Sequence, residues 1–485
     1  MRKGWTGRPG RSGFAHRALG RAHGRRYGRV SGWNEINGKA LVDRAVQRAT
    51  QAGADQVDSV LVLSNSQEAK VRNTEIETVK QSQERCLGLR AMVAGGKGRS
   101  TAVTSTSDLS LDAIDRLAEE TVALARATAP DPHAGLPDGP FAEGSIDLGL
   151  ADPADREVSL ETRIEEAKRA EAAARAVDPR IDNSEGSQVG SDWNHIFYRN
   201  SLGFAGDYES AYHSIFSEPL AREGDSMQRD YWMSVARRLS DLEGAEQVGR
   251  EAGKRAVRRL GARRPKTGEV SVIFDSRTAP SLLGHLSACV NGYSIYREAS
   301  FLASRLGEKI AASSLTLIDE GCQPAGLASR PFDGEGLPTR RNVILDQGVL
   351  QTWLMDSYSG RKLAMQSTGS ASRGAGSGPG VGTTNLWLEP GPDSWDDIIA
   401  QTDKGLVVTE LIGMGFNPTT GDYSRGASGL WVEKGEILYP VEEITIAGNL
   451  GDMLMDIDRV GSDLRWFGRT AAPPLRVTQM TLAGE

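Results

Sequence analysis

The sequence has few cysteines, no long apolar run and no paired metal-ligand motif. Its three cysteines, Cys86, Cys289 and Cys322, lie far apart among 485 residues, which excludes a dense disulfide framework and a Cys-x-x-Cys metal site. No apolar run approaches the ~20 residues of a membrane-spanning helix. The six histidines form no HExxH or HxxxH pair, so the chain shows no zinc-peptidase helix of its own. These absences predict a cytoplasmic protein that does not contact a membrane.

Charge is distributed unevenly along the chain. Residues 1–30 carry nine Lys and Arg side chains and no acidic one. Because the whole chain has a net charge of −7, residues 31–485 carry −16, which does not favour nucleic-acid binding. We expect residues 1–34 to be a basic, disordered tail. Three interpretations of it remain open: a translation-start or cloning artefact, an organelle-type presequence, or a nucleic-acid-binding arm.

Residues 35–240 alternate helical and strand-like patterns, which predicts an N-terminal α+β domain. The predicted helices are Lys39–Ala52, Leu109–Ala127, Glu157–Val177 and Gly244–Leu260. The predicted strands are Val57–Leu63, Ala69–Thr78, Cys86–Val93, Ser100–Thr104, Ile181–Val189, His195–Asn200, Gly203–Ser217 and Tyr231–Arg238, with hairpin turns at 94–98, 183–186 and 200–203. The domain boundary is placed at about 240, since the helix at 244–260 fits either side.

Residues 241–485 predict a β-rich domain. An apolar run at Glu269–Phe274 and helices near 281–290 and 298–307 come first, and most later segments are short strands between Gly, Pro, Asn and Asp turns. Among them are Asn342–Leu345, Val349–Met355, Leu406–Leu411, Glu436–Pro440 and Arg476–Leu482. The pattern indicates an antiparallel, barrel-like C-terminal domain, so the fold class is α+β.

The helix near 281–290 carries the one spacing that suggests a metal site. His285 and Cys289 lie four residues apart and share a helical face. No histidine or carboxylate nearby completes a ligand set, and no acidic residue is present there to act as a general base. A packed, hydrogen-bonded histidine beside a buried cysteine is therefore favoured over a pair of metal ligands.

Two glycine-rich segments are candidate walls of a binding site. Ser367–Gly380 lacks the order of a phosphate-binding loop, so a mobile loop that lines a cleft is favoured. Asn417–Trp431 contains turn-forming pairs together with Asp422 and Arg425, which could bind a peptide backbone or each other. By residue type alone, a structural loop is favoured there over a ligand contact.

Asn417–Trp431 lies within a longer stretch, Gly415–Leu450, that resembles the TldD/PmbA family and in particular its PmbA (TldE) branch. Shorter stretches carry the same resemblance: Met227–Tyr231, Gly326–Gly336 and Ser357–Lys362. The resemblance runs from about residue 35 to the C-terminus. It implies an N-terminal α+β domain, a β-rich C-terminal domain and a heterodimeric zinc metalloprotease whose TldD-type subunit carries a HExxxH helix.

The matching helix positions in this chain are Gly284, His285 and Cys289, where a TldD-type chain has histidine, glutamate and histidine. The resemblance therefore implies no catalytic residue and no metal ligand here, and it places zinc in a TldD-type partner. It predicts a non-catalytic subunit, inactive alone, that helps to form a cavity for unfolded or leader peptides. The candidate cavity residues are Asp422, Tyr423, Arg425 and Gly426.

Two other interpretations stay open. One is a metal-independent binding protein that modulates DNA gyrase or its inhibitors, as the older family name suggests. The other is a self-sufficient enzyme that uses His285 and Cys289. The sequence also leaves open whether the chain forms a homodimer when its partner is absent.

Overall fold

A computed structural model describes residues 36–144 and 146–485, so the basic tail predicted for residues 1–34 lies outside the described part. The first sheet and its helices occupy residues 38–257. Its helices are α1 (Gly38–Gln51), α2 (Leu111–Ala127), α3 (Leu160–Arg175) and α4 (Ala245–Val257). Its strands are β1 (Gln56–Arg72), β2 (Glu75–Gly95), β3 (Gly98–Thr106), β4 (Ile181–Asn200), β5 (Ala205–Glu223), β6 (Ser226–Arg229) and β7 (Trp232–Ala236).

These strands form one antiparallel sheet in the order β3-β2-β1-β4-β5-β6, and β7 also pairs with β5. Helices α1 and α2 pack on each other and on β1–β3, whereas α3 and α4 pack on each other and on β4 and β5. Helix α2 buries Ile114, Leu117 and Val122 on its sheet side. Helical periodicity would also place Leu111 and Leu124 on the buried side, but both are about half exposed, because Leu111 begins the helix and Leu124 lies near the edge of its buried face.

The hairpin between β1 and β2 corrects two predicted boundaries. The strand predicted at Ala69–Thr78 contains the turn itself, where Asn73 and Thr74 have φ of 52° and 68°, as in a type I′ turn. The polar stretch Lys80–Arg85, which lies between two predicted strands, is inside β2 and pairs with β1. The pattern failed because the turn has no glycine and this part of β2 is almost wholly exposed.

The hairpin turn predicted at Asn183–Gly186 is wrong. These residues lie inside β4, where the register against β5 shifts on either side of Ser184, so Gly186, with φ of 115°, marks a bulge and not a hairpin. The turn predicted at residues 200–203 is confirmed: the Asn200 side-chain oxygen accepts hydrogen bonds from the backbone N–H groups of Leu202 and Phe204, both 3.0 Å long.

The second half of the chain contains a closed barrel and another sheet. Its helices are α5 (Pro280–Cys289), α6 (Gly292–Tyr296), α7 (Ser357–Lys362), α8 (Trp395–Ala400) and α9 (Leu450–Met455). Its strands are β8 (Gly268–Phe274), β9 (Leu317–Glu320), β10 (Arg341–Asp346), β11 (Val349–Leu350), β12 (Ala371–Ser372), β13 (Gly380–Val381), β14 (Asn385–Leu388), β15 (Lys404–Ile412), β16 (Asp422–Glu433), β17 (Glu436–Asn449), β18 (Ile457–Val460), β19 (Thr470–Ala471) and β20 (Leu475–Ala483).

Strands β17-β16-β15-β8-β20 close into a five-stranded barrel through a further pairing of β17 with β20. The predicted barrel is confirmed, although β8 and β15 pair in parallel while the other barrel pairs are antiparallel. The second sheet has the order β11-β10-β9-β14-β19, and β12 pairs with β13. Among the described residues, no helix combines the length and apolar content needed to cross a membrane.

The end of strand β8 has three successive apolar residues, Val272, Ile273 and Phe274. Val272 and Phe274 belong to the main core, whereas Ile273 packs on the opposite side with Ile398 of α8. Because both faces are covered at this end of β8, its apolar residues follow one another without alternation. Helix α5 shares the main core and packs against β14 and β19, so it is held between the barrel and the second sheet.

The helix predicted at residues 298–307 is absent, and α6 precedes this segment instead. Its backbone forms hydrogen bonds with other parts of the domain. The N–H of Phe301 donates to Pro418 O at 2.9 Å, and the N–H of Gly307 donates to Leu350 O at 2.8 Å. These long-range hydrogen bonds hold the segment in a series of turns. They outweigh the local preference for a helix that its sequence periodicity indicates.

Candidate functional site

Helix α5 places His285 against two aromatic rings. The imidazole centroid is 4.5 Å from that of Phe416 and 5.8 Å from that of Tyr423, with interplanar angles of 33° and 74°. Its Nε2 is buried and has no hydrogen-bond partner within the part of the chain that the structure describes. The histidine is therefore packed, as expected, but the hydrogen bond expected at this nitrogen is not found.

Burial keeps both candidate ligands of α5 uncharged. It lowers the pKa of His285 to about 4, and the positive charge of Arg425 contributes in the same direction. Burial likewise raises the pKa of the Cys289 thiol to about 12, and its Sγ lies 3.9 Å from Pro418 O. A thiol with so high a pKa is a poor nucleophile.

The side chains around α5 do not fit a zinc ion, which requires three or four His, Cys, Asp or Glu ligands. Across residues 36–144 and 146–485, no group of three or more such side chains is arranged to hold a metal. Gly284 offers no donor, and a Cβ added there would meet nothing within 4 Å. The helix thus has space for a larger residue at this position but lacks the ligands of a metal centre.

Strand β16 carries the four candidate cavity residues on two faces. Tyr423, only 1% exposed, and the half-buried Arg425 point towards α5, because alternate strand residues share a face. Burial raises the pKa of Tyr423 to about 12, and the positive charge of Arg425 opposes this rise. Asp422 is exposed and accepts a hydrogen bond from Thr420 Oγ1 at 2.6 Å, and Gly426 pairs with β15. The structure therefore brings Tyr423 and Arg425, but not Asp422 and Gly426, to His285.

The glycine-rich segment 367–380 is attached to the first sheet through Arg373. Its guanidinium, 1% exposed, forms an ion pair with the buried Asp58 of β1 at 2.5 Å. Asp58 also binds Arg90 of β2 and accepts a hydrogen bond from Tyr198 Oη at 3.1 Å. Burial favours the protonated carboxyl, but Arg373 and Arg90 outweigh it and hold the pKa of Asp58 below its usual range. The segment is thus fixed near its middle by a buried charge pair.

Further along, the same segment forms one wall of a cavity of about 380 Å³, which we call the tyrosine pocket. The other walls come from β2, β3, α6, α7 and residues 128–135. The lining residues used below are Tyr293, Tyr296, Tyr358, Arg99, Arg297 and Asp131. The sequence analysis did not identify this pocket, although Tyr293 and Tyr296 recur at helical spacing and Tyr358 lies in one of the stretches that carry the resemblance.

A serine, a histidine and an aspartate also meet in the first sheet. Ser191 Oγ lies 2.6 Å from His213 Nδ1, and His213 Nε2 lies 3.4 Å from Asp155 Oδ2 without a hydrogen bond. Ser191 is 1% exposed and His213 is fully buried, so no substrate can reach them. Burial lowers the pKa of His213 to about 4, which makes it a weak general base at neutral pH. This group is structural.

Three sequence models of the PmbA/TldA metallopeptidase domains match the chain, at residues 57–125 (domain 1), 153–260 (central domain) and 267–484 (C-terminal domain). Metalloprotease PmbA of Escherichia coli O157:H7 is 38% identical over 452 residues, which cover 92% of this chain and 97% of that protein. The chain therefore belongs to the PmbA/TldD metallopeptidase family. The names of its relatives include both metalloprotease and modulator of DNA gyrase.

Solved structures show the same fold. A Bacteroides thetaiotaomicron protein named for modulation of DNA gyrase is 28% identical with a TM-score of 0.84, over 92% of this chain and 99% of that one. TldE from Thermococcus kodakarensis is 23% identical with a TM-score of 0.83, and the match covers 92% of this chain and 100% of TldE. Buchnera aphidicola subsp. Acyrthosiphon pisum has relatives of both types. Its PmbA homolog is 35% identical, over 81% of this chain and 85% of that protein. Its TldD homolog is 24% identical, over 61% of this chain and 64% of that protein.

Proposed function

We propose that this chain is the subunit without a metal centre in a two-chain, cytoplasmic metalloprotease of the TldD/TldE type. In this assignment the partner is a TldD-type HExxxH chain, which supplies the zinc ion, the activated water and the general base. The present chain helps to enclose a cavity that admits unfolded or leader peptides and excludes folded proteins by size.

The observation that carries this proposal is the composition of α5. At the three positions that correspond to a HExxxH motif, the chain has an exposed glycine, a packed neutral histidine and a fully buried thiol. Membership of a metallopeptidase family implies a metal, and these side chains do not fit one. A division of labour between two homologous chains accounts for both facts, and the presence of both types in one bacterium supports it.

The peptide-binding part of the proposal is supported by residues beside α5. Arg425 presents a cation next to His285, and Ile412 at the end of β15 and Met414 of the following loop are 57% and 89% exposed. Apolar and cationic side chains on one surface can contact both the side chains and the carbonyl groups of an extended peptide. We assign Arg425 and the segment 367–380 to the cavity wall. The buried Tyr423, together with Asp422 and Gly426, supports it.

Co-purification with the TldD-type chain of the same genome tests the proposal. We expect an unfolded peptide to be cleaved by the pair and by neither chain alone. A pair that carries His285→Ala and Cys289→Ala in this chain should keep activity within about twofold, because neither side chain participates in the chemistry. Replacement of the motif glutamate in the partner should abolish cleavage. Cleavage by this chain alone would contradict the proposal.

The alternative, a metal-independent modulator of DNA gyrase, is supported by the name of one structural relative. It predicts that this chain captures gyrase in the absence of a TldD-type chain. The acidic charge of residues 31–485 makes a protein surface, and not DNA, the expected contact. A pull-down with purified gyrase and the isolated chain separates the two functions.

A further inference from the structure

The three aromatic rings of the tyrosine pocket are held in fixed positions. Tyr293 and Tyr358 stack with centroids 5.8 Å apart and planes at 21°, and Tyr296 lies edge-on to Tyr358 at 6.2 Å. The Tyr293 hydroxyl donates to Asp356 Oδ2 at 3.1 Å, and that of Tyr358 donates to Asp131 Oδ2 at 2.7 Å. The Tyr296 hydroxyl accepts a hydrogen bond from Arg297 Nε at 3.2 Å. Because all three hydroxyls have partners, the rings form a preorganised apolar surface that loses little conformational entropy when a ligand binds.

Two cations in the same pocket lack an acidic partner. Arg99 donates to Ala134 O at 3.3 Å, while its Nε is buried without a hydrogen bond. Arg297 lies 5.6 Å and 5.4 Å above the rings of Tyr293 and Tyr296. Neither guanidinium forms an ion pair with a carboxylate in the described part of the chain. Arg99 is half-buried and Arg297 is exposed. A guanidinium without a carboxylate partner can bind an anion in bidentate geometry.

The charge and size of the pocket limit the ligand. Arg90, also in the lining, is already paired with Asp58, which leaves Arg99 and Arg297 against Asp131 among the lining residues. Lys362 adds a further positive charge, since its Nζ lies 5.5 Å from the centroid of the Tyr358 ring. Burial favours protonation of Asp131, but hydrogen bonds from the His133 N–H and the Tyr358 hydroxyl keep its pKa below the usual value. A volume of about 380 Å³ lies at the lower end of the range for ligand sites, about 300–1,000 Å³. A small anionic ligand fits best.

We propose that the tyrosine pocket binds the C-terminal residue of a peptide, with the α-carboxylate at Arg99 and Arg297 and the side chain against the tyrosine rings. This assignment rests on the proposed function, since it requires that the chain handles unfolded peptides. It specifies which end of such a peptide the chain recognises. A doubly charged phosphate suits the pocket less well because Asp131 would repel it.

Calorimetric titration of the isolated full-length chain tests this directly. The probes are a pentapeptide ending in phenylalanine with a free carboxylate and the same peptide as a C-terminal amide. We expect the free acid to bind about tenfold more tightly than the amide, because it gains one charged hydrogen-bonded pair. Arg297→Gln and Arg99→Gln should each remove this difference and leave amide binding unchanged, and Arg297→Lys should restore part of it.

Arg305→Gln is the matched control, since Arg305 is a partly exposed arginine paired with Glu308 outside the pocket, and it should change neither affinity. Equal binding of acid and amide, or persistence of the difference in both Arg→Gln variants, would overturn the assignment. So would tighter binding of adenosine monophosphate than of the free acid, which would indicate a nucleotide site. The assay needs neither zinc nor a partner, so its result is independent of whether the two-chain enzyme cleaves peptides.

Discussion

Arg373 and Asp58 are 315 positions apart in the sequence and form an ion pair in which both side chains are almost completely buried. The pair connects the glycine-rich segment 367–380 to the first strand of the N-terminal sheet. Arg90 and Tyr198 bind the same carboxylate. Removal of the Arg373 side chain therefore leaves Asp58 as a buried charge with fewer partners. It also detaches the segment 367–380, which forms one wall of the tyrosine pocket.

We expect Arg373→Ala to lower the free energy of unfolding by about 3 kcal/mol, because the variant leaves Asp58 as a buried charge with one cationic partner fewer. Urea unfolding followed by circular dichroism measures this. Arg305→Ala removes an exposed pair with Glu308 and should cost less than about 1 kcal/mol. Similar values for the two variants would show that the buried pair does not hold the segment.

Gly284→Ala should stabilise the protein. Gly284 lies inside α5, is exposed, and has open space where a Cβ would be placed. An alanine in a helix interior is favoured over glycine by about 0.5–1 kcal/mol. The midpoint of thermal unfolding should rise accordingly. Gly415→Ala is the contrasting variant, since its Cβ would lie 1.6 Å from Ser424 O, and it should destabilise the turn before β16.

Acid should destabilise the protein through His213, which is fully buried, and His285, which is partly buried. Burial lowers the pKa of both His213 and His285 to about 4, whereas in the unfolded chain a histidine has a pKa of about 6.5. As the pH falls from 6.5 to 4, the unfolded chain binds protons that the native chain does not, so the free energy of unfolding decreases. NMR titration of the imidazole signals should give midpoints near pH 4. Midpoints near 6.5 would contradict the burial of these rings.

The barrel and the α+β organisation were predictable because they depend on local patterns. The apolar run of β8, the turn at 200–203 and the periodicity of α1 all reflect burial on a regular element. The segment at 298–307 was not predictable, since its backbone bonds to Pro418 and Leu350, which are distant in sequence. The turn at Asn73 and Thr74 was missed because neither residue is glycine.

The candidate site was predictable only in part, for the same reason. The resemblance pointed to α5 and β16, where His285, Tyr423 and Arg425 do meet. The tyrosine pocket combines residues from β2, β3, α6, α7 and a loop, and no local pattern brings these elements together. The Asp58–Arg373 pair likewise depends on the packing of the two halves of the chain.

The zinc content of the isolated chain shows whether α5 holds a metal. The purified protein is dialysed with excess zinc and then against metal-free buffer, and bound zinc is measured by plasma mass spectrometry. We expect well under one zinc ion per chain, and the same content in the His285→Ala, Cys289→Ala double variant. One tightly bound zinc ion per chain that disappears in this double variant would contradict this expectation.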